Sequence, residues 1–355
     1  MSEIKVNSIK GVGASAAAIT VNNTDGTCTA NISSVNGGQL SSRRLNINGA
    51  MTIAQRGTVT GITSSQYAGP DRYRFANNGH GTYTISQDSS APTGSGFSNS
   101  LKIACTTADT SLAANANNNI SHRIEGQDCQ LIRKGTSNAK QLALQFWVKS
   151  NKTGNYAFQL KDGDNIRSFT TTYTISSADT WEQKKIIIPA DTTGVLGDDN
   201  GDSLAFTFWL SAGSDFTSGS ASTSWYGNVS ANLAYGHNVN IADSTSNTWY
   251  MTGFQVEIGN VHTDFEHRSF GQELALCQRY FFQLPQDVFG TTPNNQYVDL
   301  NIFYPVIMRA SPSISLASNS VGTNDSTNSG TYSSRFYENS NTPLIKSAST
   351  FSAEL

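Results

Sequence analysis

Between residues 142 and 210 the chain alternates. Apolar side chains recur at every second position in one short run after another. In LALQFWV (142–148) Leu142, Leu144, Phe146 and Val148 share a face. Tyr156, Phe158 and Leu160 do so in NYAFQL. Phe169, Thr171, Tyr173 and Ile175 do so in FTTTYTI, and Leu204, Phe206, Phe208 and Leu210 in LAFTFWL. A period of two is the signature of a strand with one buried face. The turn-favouring stretches SNKTGN, KDGDN, ADTTG and DDNGDS separate these runs, and Pro189 ends the continuous run Ile186, Ile187, Ile188. No crossover helix lies between them, so the strands are expected to pair antiparallel. The expectation is an all-β chain built on an antiparallel sandwich over residues 43–268.

The period changes once. In WYMTGFQVEI (249–258) Tyr250, Thr252, Phe254, Val256 and Ile258 fall on one face, with Trp249, Met251, Gln255 and Glu257 on the other. Ser269 can then cap a helix, with Gln272 three residues later as in a capping box. Phe270, Leu274, Cys277 and Phe281 follow at helical spacing. One short connecting helix is expected at 269–283. A small C-terminal β domain is expected at 284–355. Its strand candidates lie in YVDLNIFYPVIMRASPSISLAS, broken by Pro305 and Pro312, and in the closing STFSAEL; SVGTNDSTNSGTYSS between them reads as a polar loop. Residues 1–42 carry Ile4, Val6, Ile9, Ile19 and Val21 among Gly, Ala, Ser and Asn, too little apolar area to fold alone. They read as a disordered tail, a strand donated to a partner, or an intertwined oligomer segment.

Charged residues make up 14% of the chain, against about 25% in an average soluble domain. Aromatics at 10% argue against disorder. With a net charge of −3 and no basic stripe, nucleic-acid binding is not expected. No apolar run approaches the roughly 20 residues that span a bilayer, and no signal-peptide pattern opens the chain, so folding in a cytosol is expected. Cys28, Cys105, Cys129 and Cys277 form no C-x-x-C pair, and free thiols are favoured over disulfides or zinc.

Catalytic motifs are missing: there is no G-x-S-x-G, P-loop or H-E-x-x-H. A glycoside hydrolase needs two carboxylates across a cleft. Glu125, Glu257 and Glu266 are available, though each reads first as a turn or strand-face carboxylate. Asp198, Asn200 and Asp202 match the first ligand positions of a calcium loop. Ser203 replaces the usual Gly and no Glu stands at the twelfth place, so a solvated turn competes with a Ca²⁺ site. His262, Asp264, Glu266, His267 and Arg268 read as a metal cluster or, more simply, a hydrogen-bonded turn. Exposed aromatics flanked by amides suit the apolar faces and hydroxyls of sugars. Trp147 and Trp209 lie opposite the apolar sets of their strands; Gln145 and Lys149 share the face of Trp147, and Thr207 that of Trp209. Trp225 and Tyr226 in SASTSWYGN form a second candidate platform. A core or inter-subunit role is the alternative for each, and Trp181 beside KKIIIP reads as core.

Two stretches carry a resemblance. TGFQVEIG…FEHRSFGQELALCQRYF resembles the end, and RRLNINGAMTIAQRGT (43–58) the start, of a β-sandwich module in structural proteins of tailed bacteriophages, marine ones above all. MSEIKVNSIKG is similar to the N-terminus of appendage and fibre-like proteins of such phages. The resemblance covers most of residues 1–310. It implies a jelly roll similar to carbohydrate-binding modules, a fold in which calcium is common. It also implies a virion protein made in the host bacterial cytoplasm. As a homotrimeric tail fibre or similar appendage, it would join another virion protein through residues 1–42 and bind host surface glycans without catalysis. A capsid decoration or head-fibre protein and a polysaccharide depolymerase remain the alternatives.

Overall fold

The computed structural model of the protein describes residues 8–9, 19–22, 24, 26–30, 43–284, 288–290, 298–315, 326–338, 344–346 and 349–355. Near the start, β1 (Ser8–Ile9), β2 (Ile19–Val21) and β3 (Cys28–Ala30) pair antiparallel in a small sheet. Most of 1–42, and with it the expected anchor or oligomerisation segment, lies outside the described residues.

The body is built from β4 (Val59–Tyr67), β5 (Tyr73–Asp88), β6 (Ser100–Thr107), β7 (Asn117–Glu125), β8 (Leu142–Ser150), β9 (Gly154–Asp162), β10 (Arg167–Ile175), β11 (Glu182–Ile188), β12 (Asp202–Ala212), β13 (Tyr226–Gly227) and β14 (Thr248–Ile258). A short helix, α1 (Ser214–Thr217), follows β12. Hydrogen bonds run in the order β11-β8-β14-β6-β5-β7-β12-β9-β10-β13, with β4 beside β5. The hinge of this path is β5. Residues 73–77 pair with β7 and residues 82–88 with β6. Between them Gly79 and Gly81 adopt positive φ of 74° and 75°, which a side chain would resist. The sheet folds over at this corner and its halves face each other. Phe146 of β8 packs 4.9 Å from Phe208 of β12 and 5.1 Å from Tyr173 of β10, and Phe208 packs 5.5 Å from Phe254 of β14. The four alternating sets of the middle region supply this core, and all but Thr171 of them are buried. The protein is an antiparallel jelly-roll β-sandwich: the alternation pointed to the sandwich, and the resemblance to the jelly roll.

One strand departs from strict alternation. Thr252 pairs with Trp147 but Gln255 pairs with Gln145, so β14 holds one extra residue in a bulge. Gly253, at φ +61°, makes it. Before the bulge Trp249 and Met251 enter the core; after it Phe254 and Val256 do. Tyr250 and Thr252 therefore point away from the core, on the opposite face from Phe254, contrary to the simple period-two assignment.

The second signature stretch continues into α2 (Phe270–Gln278), with the full Ser269/Gln272 capping box. The helix is shorter than expected: β15 (Phe281–Gln283) follows at once. Its buried residues are Glu273 and Cys277, with Tyr280 buried just beyond it, while Phe270 is 65% exposed. The buried face is rotated because Glu273 is an ionic partner of the sandwich. It pairs with Arg44 and accepts the Asn48 N–H at 2.5 Å. Arg43 bonds Glu257, and Glu266 accepts both the Arg43 and Arg44 N–H groups at 2.8 Å. Asn46 accepts from Val256 N–H at 2.9 Å and donates to the Phe254 carbonyl at 2.7 Å. The two signature stretches are thus the two sides of one seam.

Beyond it come β16 (Val288–Gly290), β17 (Val298–Phe303), β18 (Ser313–Ser315), β19 (Ser326–Ser329), β20 (Ser333–Glu338), β21 (Leu344–Lys346) and β22 (Thr350–Ser352). The stretch read as a polar loop is partly a β19–β20 hairpin; residues 320–325 lie outside the described residues. The closing strand pairs with both β15 and β18. A second core gathers Phe282, Ile302, Tyr304, Met308, Phe336 and Phe351. Its end is bound back to the sandwich. Glu354 pairs with Arg56 at 3.1 Å and with the buried Arg72, and Tyr67 donates to the Leu355 carbonyl at 2.6 Å. All four cysteines are free, and Cys105, Cys129 and Cys277 are buried.

An aromatic cleft on the outer face of the sandwich

Strands β11, β8 and β14 turn a row of side chains outward: Gln183, Trp147 and Thr252 stand side by side across them. A second row, Lys185, Gln145 and Gln255, lies one pleat away. Two segments wall this floor, one carrying Ser95 and Phe97, the other His262 to His267. The open cleft between them measures about 570 Å³.

The bulge makes the cleft possible. A Cβ on Gly253 would stand 2.7–2.8 Å from the Phe97 ring and 3.1 Å from Trp147. With no side chain there, Phe97 lies down on the strand beside Trp147. Phe265 meets Phe97 edge-on at 4.8 Å, and His267 meets both rings at 5.3 and 4.8 Å. The Arg44 guanidinium caps Phe265 from 5.0 Å. Partial burial, and then the charge of Arg44, hold the His267 imidazole below its ordinary pKa. Gln145 is fixed by donating to the Thr263 carbonyl at 2.6 Å. Gln183, Lys185, Asp264 and His267 are exposed, Trp147 is half-buried, and its indole N–H has no partner among the described residues.

Of the residues expected to form a site, Trp147 with its neighbour Gln145 is in this cleft. Trp209 is not. Its strand belongs to the opposite layer, so the two indoles face away from each other. Trp209 is 4% exposed and covered by Phe216 of α1 at 5.1 Å, which leaves it no face for a ligand. Trp225 and Tyr226 lie apart from the cleft and are half-buried. The Trp225 indole donates to the Pro189 carbonyl at 2.8 Å, with Lys134 Nζ 5.1 Å from its ring. The Tyr226 hydroxyl bonds Thr170 at 2.6 Å beside a hollow of about 260 Å³. Trp181 is not core: it is half-buried at the start of β11, edge-on to Tyr250 at 6.2 Å.

The calcium candidates do not converge. Asp198 is exposed, Asp202 pairs with Arg123 at 2.7 Å, and Asn200 exchanges hydrogen bonds with Arg309 at 2.7 and 2.9 Å. Among the described residues no three His, Cys, Asp or Glu side chains gather to hold a metal ion, including those of 262–268. Glu257 and Glu266 belong to the seam. Glu125 is buried, held by Arg279 at 2.7 and 2.8 Å and by the Tyr280 hydroxyl.

Phe97, Phe265 and Gly253 were not singled out from the sequence, and His267 only as part of a metal cluster or turn. A glycine inside an alternating strand is a bulge signal, and T-G-F at 252–254 offered it. Phe97 was visible only as a lone aromatic in a Gly/Ser loop.

No protein-family model matches the chain, and no curated protein matches it. Solved structures with a similar arrangement of strands exist. The enzymatically active domain of bacteriophage CBA120 tailspike protein 4 aligns at 10% identity and a TM-score of 0.31, over 56% of this chain and 21% of that one. The family 11 carbohydrate-binding module from Clostridium thermocellum aligns at 9% identity and TM-score 0.28, over 58% of this chain and 98% of the module. The xylan-binding domain of Paenibacillus barcinonensis Xyn10C aligns at 10% and 0.27, over 58% and 94%. At such identities and scores these likenesses say nothing about what the cleft holds; its own residues must answer that.

Proposed function

We propose that the protein binds a glycan in the aromatic cleft. The observation that carries this is the floor itself, where Trp147 and Phe97 lie side by side on a sheet, ringed by exposed amide, imidazole, ammonium and carboxylate groups. The C–H face of a pyranose stacks on such rings, and its hydroxyls meet the polar rim. The indole N–H of Trp147 adds a donor. The cleft supports binding rather than cleavage: its lining offers one carboxylate, Asp264, where glycosidic hydrolysis uses two.

Trp147→Ala should lower affinity for a bound oligosaccharide at least about 30-fold, the loss of a buried aromatic anchor worth some 2 kcal/mol. Titration calorimetry on a ligand found by glycan array measures it. The melting temperature should move little, because the ring is not in the core. Unchanged affinity would remove the cleft from the reading.

The wider role we propose is that of a phage virion component, a tail fibre or similar appendage, that carries this cleft to host surface glycans. The signature stretches support it. A homotrimer would turn weak single-site binding into avidity. Purified full-length protein should sediment as a trimer and compete with particle adsorption to host cells. A correctly assembled oligomer that does not compete would favour a decoration role on the capsid instead.

A further inference from the structure

The outer face does not end at the cleft. One pleat beyond the row of Gln183, Trp147 and Thr252, a third row runs across the same strands. It holds Trp181 just before β11, Lys149 on β8, Tyr250 on β14 and Lys102 on β6, with Tyr250 paired to both lysines. Trp181 and Tyr250 meet edge-on and both are half-exposed. Lys149 Nζ lies 4.2 Å from the Tyr250 ring centre and 5.3 Å from that of Trp181, and donates to the Ser90 hydroxyl at 2.7 Å. Lys102 Nζ lies 5.4 Å from the same tyrosine ring and pairs with Asp88 at 3.2 Å. Lys149 and, at the far end of the face, Lys185 have no carboxylate within ion-pair distance among the described residues.

Two features set this row apart from ordinary surface. First, it repeats the make-up of the cleft floor, aromatic rings beside polar heads, in direct continuity with it. From Lys185 to Trp181 the face runs four residues along β11, roughly 14 Å at ~3.4 Å per residue, longer than a single sugar ring. Second, its charge runs against the chain. A protein of net charge −3, with only 14% charged residues, here sets Lys102, Lys149 and Lys185 against Asp88 and Asp264. An ammonium held over aromatic faces is partly desolvated and fixed in place, which strengthens its attraction for an incoming anion.

We infer that this row is a second subsite of the cleft and that the glycan it takes is acidic, carrying carboxylate or sulfate groups along its chain. The inference rests on the glycan-binding reading and adds the charge class of the ligand. Lys149 meets the acidic group of one residue while Trp181 and Tyr250 flank its ring. Trp147 and Phe97 hold the neighbouring residue, and Lys185 faces the acidic group beyond.

Alginate, dextran sulfate and dextran serve as probes, in affinity electrophoresis and calorimetry with the full chain. The wild type should bind alginate or dextran sulfate at least about tenfold more tightly than dextran, the preference fading as salt rises; which acidic polymer binds tells carboxylate from sulfate. Lys149→Gln combined with Lys185→Gln should abolish that preference with the melting temperature unchanged. Trp181→Ala should weaken binding of the acidic ligands. Lys161→Gln, an exposed lysine on the other layer, should change nothing. Acidic binding that survives the double variant, or falls equally in Lys161→Gln, overturns the acidic subsite and leaves the cleft standing. Binding of both alginate and dextran sulfate no tighter than that of dextran by the wild type does the same. Failure to bind any of the three overturns the acidic subsite, and Trp147→Ala on an array-derived ligand then decides the cleft separately.

Discussion

Replacing Glu273 by Ala should destabilise the protein by about 3–5 kcal/mol, the usual result of removing one partner from a buried ion pair. Glu273 is 3% exposed and stands at the crossing of three segments. It pairs with Arg44, takes the Asn48 N–H, and has Arg268 Nη1 at 3.7 Å. Without it the guanidinium of Arg44, itself buried, keeps its charge and loses its counter-ion. Two of the Arg44 nitrogens already lack hydrogen-bond partners, so little else can compensate. Glu273→Gln should lie between, since it preserves a hydrogen-bond acceptor without the charge. Urea unfolding monitored by tryptophan fluorescence gives the difference, with an unchanged slope showing that the unfolded state is not involved. A loss below about 1 kcal/mol for the Ala variant would mean that the seam is not what joins helix α2 to the sandwich.

The second large effect is on acidification. His237 is buried in the neutral form: Nδ1 accepts the Ala157 N–H at 3.1 Å and Nε2 donates to the Val239 carbonyl at 2.8 Å. Burial brings its pKa down to about 4. His122, fully buried between Tyr73 and Phe254, is held well below its ordinary value, by burial first and then by Arg72 and Arg44. Between pH 4 and 6.5 the unfolded chain therefore binds protons that the folded chain refuses. The stability these histidines confer is complete above about pH 6.5 and declines as pH falls toward 4. At about 1.4 kcal/mol per unit, His237 accounts for a loss on the order of 3 kcal/mol, and His122 adds to it. Asp71 works the other way. Burial raises it to about 6, so its share of stability is present in acid and lost as pH rises from about 4 to 6. Two histidines against one aspartate leave a net fall on acidification. Melting temperatures between pH 8 and 4 check it; a curve that stays flat or rises toward pH 4 would defeat the argument.

The body of the fold was legible in the sequence because its strands have one buried and one outward face. Leu142, Leu144, Phe146 and Val148 alternate and are all buried, and so are their counterparts on β9 and β12. The capping box of Ser269 and Gln272 was legible because it is local. What failed depends on one residue or on distant partners. Gly253 inserts a single position into β14 and reverses the face of everything before it. Glu273 turns the helix by pairing with Arg44, 229 residues away. That Trp147 and Trp209 look out of opposite layers was not legible: both alternate correctly, but strand spacing alone does not say which layer a strand joins. The cleft needed Phe97 and Phe265 from segments with no periodicity at all.

Arg72 and Glu354 close a contact across 282 residues. At a translation rate of roughly 5–20 residues per second, Arg72 emerges from the ribosome some 15–60 s before its partner. During that interval an arginine destined for a fully buried position has no counter-ion. The first strands can collapse, but sealing Arg72 among Tyr280 and its neighbours must wait for the distant strand β22 and the residues after it. The nascent sandwich therefore stays loose along that edge. A ribosome-stalled chain ending before residue 350 should be far more open to protease near β5 than the released protein.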